Sequence, residues 1–471
     1  MTVGGWIELK RYKIYKFKTN NMQRTYIKEL VSKVGEEVLI KGWVNIRRDQ
    51  GKMIFLDFRD MTGVVQGVIL PNQLEALEQG KKLRQEFVVE VVGKINERPE
   101  RNRKAGILNG DIELEIFKIN ILAEAASLPF DMSVDGFNLD LTTELDNRAL
   151  TFRHPKIQAV FKIQETVIDS FREVMKSENF FEFQAPCIVP ATAEGGAEVF
   201  KIGYFDKSAY LTQSPQLYKQ IVMSAFERCF SVNKIFRAEP SVTTRHLTEV
   251  VSLDAEFAFI DSWTDVKDMA EKTIRYILEQ IQKRNAEQLK LLGVELPKMI
   301  EKTPVISLRE SQQKIFEVYG RDNRGDKDLS SQDEVEICEI FKKETGSDFV
   351  FVYGFPTRKK PFYVYPDAKD PEFNEGVDLI CRGRELLSGG RRINDFKQLE
   401  EHVKIWGLDP KNISMFLQAF KYGVAPEGGF AFGAERITMQ FLNLPNIRQA
   451  TMFPRDMSRI DERLEKDENG Y

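Results

Sequence analysis

Between residues 38 and 125 the chain carries five runs of strand-like sequence, with a helical run after the third. The runs are Val38–Ile46, Lys52–Phe58, Gly63–Leu70, Phe87–Val92 and Ile112–Ile121, and the helical stretch is Gln73–Leu83. Apolar and polar residues alternate in several of them, and Asp49-Gln50-Gly51 and Met61-Thr62-Gly63 supply turns. Five short strands with a helix after the third is the order of an OB barrel, although any other small β-barrel fits the pattern alone.

The rest of the chain reads differently. Residues 126–150 are poor in periodicity and read as a hinge between a domain at 22–125 and a second at 151–471. An amphipathic helix follows from about Lys156 to Ser177, with Val160, Ile163, Val167, Ile168, Phe171 and Met175 at helical spacing. It leads into Phe181-Glu-Phe-Gln-Ala-Pro186. Mixed strands and helices continue to about residue 455, with a helix-rich insertion at about 285–345 that carries no recognisable chemistry. The charged tail 461–471 is expected to fray. Residues 1–21 read as an extension ahead of a natural start at Met22. Their cations Lys10, Arg11, Lys13, Lys16 and Lys18 face one acid, Glu8. Either they are a disordered leader or they form a basic arm that meets phosphates.

Composition removes several classes of function. With 42% hydrophobic and 30% charged residues among 471, the chain is a globular protein long enough for several domains. No run approaches the roughly 18 to 20 apolar residues of a membrane span, and the start lacks the order of a secretory signal. Cys187, Cys229, Cys338 and Cys381 are scattered, with no C-x-x-C pair. A disulfide scaffold and a cysteine-built zinc site are therefore excluded. Only three histidines, His154, His246 and His402, are present. The expected setting is reducing and cytoplasmic. At a net charge of −4, a nucleic-acid partner requires a local basic surface.

The segment from Lys234 to Phe257 carries the most chemistry. In its second half Val251, Leu253, Ala255, Phe257 and Phe259 point one way, and Ser252, Asp254 and Glu256 the other. That predicts a half-buried antiparallel strand whose polar face holds two acids. The first half is a strand ending in Phe236-Arg237-Ala238-Glu239, and the loop between them holds Arg245 and His246. Two arginines so placed suit a phosphate clamp, since the guanidinium is a planar, permanent fork of donors. An ordinary hairpin with solvated charges is the plainer alternative. Further on, Gly428-Gly-Phe-Ala-Phe-Gly433-Ala-Glu-Arg436 turns a Gly-rich strand into a helix. Glycines there admit a ligand close to the backbone. The spacing is neither a Walker loop nor a Rossmann fingerprint.

These two segments, with the stretch ending at Pro186, resemble motifs 2, 3 and 1 of class II aminoacyl-tRNA synthetases. More closely, the chain resembles aspartyl-tRNA synthetases of the archaeal and eukaryotic type. The strings that carry the resemblance are Ala193-Glu-Gly-Gly-Ala-Glu198, Gln213-Ser-Pro-Gln-Leu-Tyr-Lys-Gln220, Thr244-Arg-His-Leu247, Glu385-Leu-Leu-Ser-Gly-Gly-Arg-Arg392, Gly433-Ala-Glu-Arg436 and Asn446-Ile-Arg448. The resemblance implies an N-terminal OB-fold anticodon-binding barrel followed by a catalytic domain with an antiparallel sheet flanked by helices. It implies an aspartate–tRNA ligase, whose partners are L-aspartate, ATP and tRNA(Asp), with tRNA(Asn) left open, and whose cofactor is Mg²⁺. The segment ending at Pro186 resembles the family's dimer motif and implies a homodimer.

The resemblance also carries residue roles. Arg237 would bind the α-phosphate and the attacking carboxylate, and Arg436 the γ-phosphate end. Ala238, Glu239, Arg245, His246 and Leu247 would contact ATP, as would Gly433, Ala434 and Glu435. Glu385 and Ser388 would hold Mg²⁺, with help from Asp378. Lys219 and Arg392 would grip the side-chain carboxylate of aspartate, with Asp254 orienting Lys219 and Gln216 and Ser388 beside them. Glu194 would take the α-ammonium. On the barrel, Phe55 would stack an anticodon base while Gln66 and Glu113 read base edges. From its own apolar strand, Phe55 is equally a core aromatic. Asn45 stands where the family varies with its reading of the third anticodon base.

The adenylation such enzymes carry out fits these residues. The substrate's own carboxylate is the nucleophile, so no catalytic Ser, Cys or His is needed, and the protein supplies positioning and charge. Asparaginyl relatives usually place an acid where Lys219 stands, and lysyl relatives need an acid to meet an ammonium. An amidating relative would lack the OB domain, and a decayed nucleic-acid-binding relative would have lost Arg237, Glu385 or Arg436.

Overall fold

The computed structural model describes residues 22–133, 137–190, 199–240 and 242–461. The basic stretch 1–21, Glu194 and all of the charged tail after residue 461 lie outside the described residues, together with the expectations attached to them. The chain divides between Met132 and Ser133 into two compact units.

In the first unit, strands β1 (Glu37–Gln50), β2 (Met53–Asp60) and β3 (Gly63–Ile69) are followed by helix α1 (Leu74–Gly80), β4 (Val88–Glu97) and β5 (Ile112–Ala123). They form a closed barrel in the order β1-β2-β3-β5-β4, with β4 pairing back onto β1. Closure leaves no sheet edge to cover. β1 extends to Gln50 because its charged end, Arg47 to Gln50, pairs with Met53 to Leu56. Inside, Val44, Leu56, Phe58, Val91, Leu114 and Ile116 are fully buried. Leu56 and Phe58 therefore point inward, which turns Phe55 and Asp57 outward, since successive side chains of a strand face opposite ways.

The second unit begins with short helices α2 (Leu141–Asp146) and α3 (Arg148–Thr151), then the long α4 (Pro155–Ser177). The stretch expected as a featureless hinge thus holds α2, whose start is fixed by the Asp140 carboxylate accepting from the Thr143 amide. α4 starts with Pro155, whose missing N–H costs nothing at the first helical position. Next come β6 (Phe181–Glu182), a small sheet of β7 (Ile188–Val189), β8 (Lys201–Tyr204) and β9 (Lys207–Leu211), then α5 (Gln216–Phe226), β10 (Arg228–Phe236), β11 (Glu249–Ala258) and α6 (Trp263–Arg284). Helix α7 (Ala286–Leu292), β12 (Val305–Ser307), α8 (Leu308–Tyr319) and α9 (Ser331–Thr345) precede β13 (Phe349–Tyr353), β14 (Gly376–Cys381) and β15 (Arg384–Arg391). The chain ends with α10 (Phe396–Ile405), α11 (Ser414–Lys421), β16 (Glu427–Gly433) and α12 (Ala434–Phe441).

The large sheet has the order β12-β13-β14-β15-β16-β11-β10-β6. Its centre is antiparallel, but β12 runs parallel to β13 and β6 parallel to β10, so the sheet is mixed at its edges. Helices α4, α6 and α12 cover one face, burying Phe171, Phe230, Leu253, Ala255, Phe430 and Phe432. Ser252, Asp254 and Glu256 lie on the other. The strand expected to be half-buried is the interior strand β11, buried on both faces. Asp254 and Glu256 are 1% and 0% exposed, because cationic side chains rather than water cover them.

Candidate functional site

The polar face of the sheet has a floor of small residues. Across β11 and β16 the register pairs Ser252 with Gly433, Asp254 with Ala431 and Glu256 with Gly429. On the other side of β16, Ser388 lies opposite Ala431, and on β14 Asp378 lies opposite Ser388. A Cβ on Gly429 would fall 2.2 Å from the Ala255 carbonyl oxygen and 2.2 Å from Glu256 Oε2. Only glycine leaves room for that carboxylate.

Above this floor lies a buried charge network. Helix α5 crosses β10 and β11 and points Lys219, 1% exposed, down onto the acids. Its Nζ lies 3.1 Å from Asp254 and 3.0 Å from Glu256. The other oxygen of Glu256 accepts from Arg392 Nε at 2.8 Å, and Arg392 donates again to the Gly429 carbonyl at 3.0 Å. Glu256 therefore bridges the two cations. Burial pushes the Lys219 ammonium down, but Glu256 and then Asp254 outweigh it and hold the pKa raised. Burial pushes Glu256 up, and Arg392 and Lys219 overcome that and hold it ionised. Gln216 donates to Gln220 at 3.1 Å and to Glu256 at 3.4 Å, and Gln220 donates to Glu427 at 2.8 Å. Glu427 is fully buried, its Oε2 has no hydrogen-bond partner among the described residues, and burial with the nearby Glu256 raises its carboxyl far above the usual range. This raised carboxyl sits beside the Lys219–Glu256–Arg392 network.

Next to this network is a cavity lined by Arg237, Glu239, Arg245, His246, Leu247, Glu385, Ser388, Gly433, Glu435 and Arg436, among others. Arg237 follows the end of β10 and Arg436 lies in the first turn of α12, where the Gly-rich strand turns into helix. Arg436 donates to the Glu385 carbonyl at 3.0 Å and meets its carboxylate at 3.3 Å. His246 bonds Thr243 Oγ1 at 2.8 Å through Nδ1, and burial lowers its pKa. Glu435 is a brace: both its oxygens accept from the Val251 amide, and burial raises its pKa to about 7. Leu247 also packs with Met439, Ile447 and Ala450.

The structure thus brings together Arg237, Glu239, Arg245, His246, Leu247, Glu385, Ser388, Gly433, Glu435 and Arg436 in one cavity, and Gln216, Lys219, Asp254 and Arg392 in the adjoining network. Ala238 and Ala434 are not among the residues lining the cavity. Asp378 is differently placed. Lys360 Nζ lies 2.7 and 2.8 Å from its two oxygens and 3.1 Å from Ser388 Oγ. Burial raises Asp378 to about 6, against the pull of Lys360. Among the described residues no group of three or more His, Cys, Asp or Glu side chains converges as a metal site. Glu385 and Ser388 present hard oxygen donors at the cavity and fit a magnesium ion that phosphates also ligate. The two Asp378 oxygens hold the Lys360 ammonium, which reaches Ser388 as well.

On the barrel, Asp57 pairs with Gln66 and Phe55 with Val68, and Val68 lies opposite Glu115 on β5. Phe55, Gln66 and Glu113 share the outer face, each half-buried, beside an Arg48–Asp57 ion pair of 3.1 Å. Asn45 sits at a bulge in β1 between Val44 and Ile46. Burial raises the carboxyls of Asp57 and Glu113.

Sequence reasoning missed several of these residues. Glu256 was visible as the second acid on the polar face of its strand. Gln220 ends the Gln213–Gln220 segment, one turn after Gln216. Glu427 and Lys360 gave no local signal, because their partners lie 207 and 18 residues away.

An OB barrel joined to a mixed sheet with paired arginines over a Gly-rich floor defines a class II synthetase. The family of class II tRNA synthetases for D, K and N matches residues 140–457, and the OB-fold nucleic acid binding domain matches residues 38–122. The chain belongs to this class II family.

Among its relatives is an aspartate–tRNA(Asp/Asn) ligase of Deinococcus radiodurans, 38% identical over 94% of this chain and 99% of that protein. Another is an aspartate–tRNA(Asp) ligase of Pyrococcus horikoshii, 37% identical over 93% of this chain and all of that one. A solved asparaginyl-tRNA synthetase from Pyrococcus horikoshii, complexed with asparaginyl-adenylate, superposes with a TM-score of 0.85 at 31% identity, covering 93% of this chain and 100% of that one. The aspartyl tRNA synthetase of Entamoeba histolytica gives 0.83 at 28% identity, over 96% and 95% of the two chains. No helix among the described residues is long and apolar enough to cross a membrane.

Proposed function

We propose that the protein is an aspartate–tRNA ligase, which joins L-aspartate to ATP as aspartyl-adenylate and passes the aspartyl group to the 3′ end of tRNA(Asp). The observation that carries this reading is the Lys219–Glu256–Arg392 network. Lysine and arginine are donors only. A side-chain carboxylate satisfies both with its lone pairs, whereas the amide nitrogen of asparagine would turn N–H groups against N–H groups. A buried donor left without an acceptor costs about 1–3 kcal/mol. Curated relatives named as aspartate ligases agree. The similarity to solved asparaginyl enzymes favours asparagine as the rival substrate, and Lys219 argues against it.

The chain's own groups then divide the work. Lys219 and Arg392 orient aspartate through its side chain, leaving its α-carboxylate toward the neighbouring cavity. Arg237, exposed at the strand end, meets that carboxylate and the α-phosphate and screens their mutual repulsion as the carboxylate oxygen bonds the α-phosphorus to give the mixed anhydride and the bond to pyrophosphate breaks. Arg436 draws the departing pyrophosphate, while Arg245 and His246 line the tail's path. Glu385 and Ser388 would hold Mg²⁺, which neutralises phosphate charge when bound. Glu194 takes the α-ammonium, and Phe55, Gln66 and Glu113 take anticodon bases by stacking and edge contacts. The chain pairs with a second copy through the segment ending at Pro186. In support, β6 is an edge strand of the large sheet. Phe181 and Phe226 stack at 4.1 Å beside it while remaining 47% and 51% exposed.

The test is aminoacylation with labelled aspartate on two transcripts, one with anticodon GUC and one with GUU. Charging of GUC alone gives a tRNA(Asp)-specific ligase. Charging of both extends the substrate to tRNA(Asn). Charging of neither, by folded protein on correctly folded transcripts, contradicts the reading.

A further inference from the structure

Arg245 lines the nucleotide cavity, yet its guanidinium is held from outside the loop that carries it. It donates to Ser331 Oγ and lies 3.7 Å from the Glu334 carboxylate. Both partners belong to the first turn of α9, in the stretch where the sequence shows no chemistry. Three residues apart, they share one helix face.

That turn is rigid. The Ser330 side chain accepts from the Asp333 amide and the Asp333 carboxylate accepts from the Ser330 amide, a reciprocal cap. Asp333 is pinned in turn by Arg321 and by Asn323, the latter at 2.7 Å. At the loop's base, Arg448 donates to the Thr243 carbonyl at 2.8 Å and the Ile447 amide to the Thr244 carbonyl at 2.9 Å. The loop is thus tied at its base by residues 447 and 448, and the Arg245 side chain is tied by α9.

Favourable placement of an acid at a helix N-terminus would by itself account for a surface glutamate. It does not account for one whose side chain is only 14% exposed and sits in the field of Glu385, Arg436, Arg245 and Arg384. Burial, and then Glu385, raises its pKa to about 7 against those three arginines. A carboxylate beside a polyphosphate tail is repulsive unless it serves the cation between them.

Resting on the ATP-dependent reading above, we propose that Ser331 and Glu334 are positioning residues that hold the Arg245 guanidinium at the cavity wall, ready for the phosphate tail of ATP, and thereby set the affinity for ATP. Ordering a long arginine side chain at the moment of binding costs affinity, and an arginine already ordered avoids that loss.

The experiment is aspartate-dependent ATP–pyrophosphate exchange by the full chain, with Glu334→Ala, Arg245→Ala and the double variant. Glu334→Ala is expected to raise the KM for ATP about fivefold, the scale of a partly exposed ion pair, with kcat and the KM for aspartate unchanged. In the Arg245→Ala background the same change is expected to do nothing more, because its effect passes through Arg245. An unchanged or lowered KM for ATP in Glu334→Ala would overturn the proposal. So would the same rise in both backgrounds, which is what loosening of the helix alone would give. Absence of exchange by the unmodified chain would overturn the functional reading itself. Exchange whose KM for ATP ignores Glu334 overturns only the positioning role.

Discussion

Lys219 is buried between two acids, Asp254 and Glu256. The resemblance carried by its Gln-Leu-Tyr-Lys string implies a substrate cation. Nothing local says that it arrives already paired with two acids, because Asp254 and Glu256 lie 35 and more residues away on another element. Reversing its charge alone would bury three carboxylates together. The balanced pair Lys219→Gln with Asp254→Asn leaves Arg392 and Glu256 to neutralise each other. We expect that double variant to unfold at a temperature near the unmodified chain's and to activate aspartate at least about a hundredfold less efficiently, measured by pyrophosphate exchange.

Glu435 gives a prediction of a different kind. Its folded pKa is about 7, against 4.5 for a free glutamate. Between these values the unfolded chain releases the proton first, so this residue makes the fold progressively less stable as pH rises from about 4.5 to 7. Above about 7 the penalty is constant, and below 4.5 it vanishes. In Glu435→Gln the amide oxygen still accepts from Val251. Urea unfolding of the two proteins should show the unmodified chain losing stability relative to the variant across that window. Parallel curves would remove the claim of a raised carboxyl.

Elements follow their sequence pattern more closely than their environment. The alternation from Val251 to Phe257 follows the two faces of β11 but does not show that both are buried, and it ends sooner than expected: Phe259 lies past the strand with φ +58° and is 72% exposed. A polar face reads as solvent-facing unless its counter-charges are known. The Gly-rich run became strand β16 and then α12, and the reason for one glycine is steric. With 2.2 Å from a Gly429 Cβ position to the Ala255 oxygen, Gly429→Ala must part β11 from β16 or expel Glu256. An overpacked site of this kind costs about 1–3 kcal/mol. We expect lower stability in urea together with a raised KM for aspartate. A variant with normal stability and a normal KM would mean that the close approach is not needed. The barrel strand Met53–Asp60 was too apolar to assign faces. Only closure of the barrel decides that Leu56 and Phe58 fill it and Phe55 does not.

At the scale of the whole molecule, the chain forms two units with separate cores, and on the proposed reading the first takes the anticodon and the second carries the chemistry. That change was legible because five strand-like runs with one short helix give way, after a periodicity-poor stretch, to a long amphipathic helix and mixed elements. Contacts such as Lys360 on Asp378 were not, since they depend on how distant loops return to the sheet. The division predicts separable phenotypes. Phe55→Ala should raise the KM for tRNA in aminoacylation by about tenfold, one lost base stack, and leave aspartate-dependent exchange untouched. Loss of exchange in that variant would contradict a purely anticodon-side role.

On the proposed reading, a buried lysine–glutamate–arginine bridge selects a carboxylate side chain. The most direct measurement is ATP–pyrophosphate exchange by the unmodified chain, with aspartate, asparagine and lysine compared at equal concentration. The account predicts exchange with aspartate and, with the other two, rates at the level without amino acid. Exchange with asparagine equal to or faster than that with aspartate would contradict it.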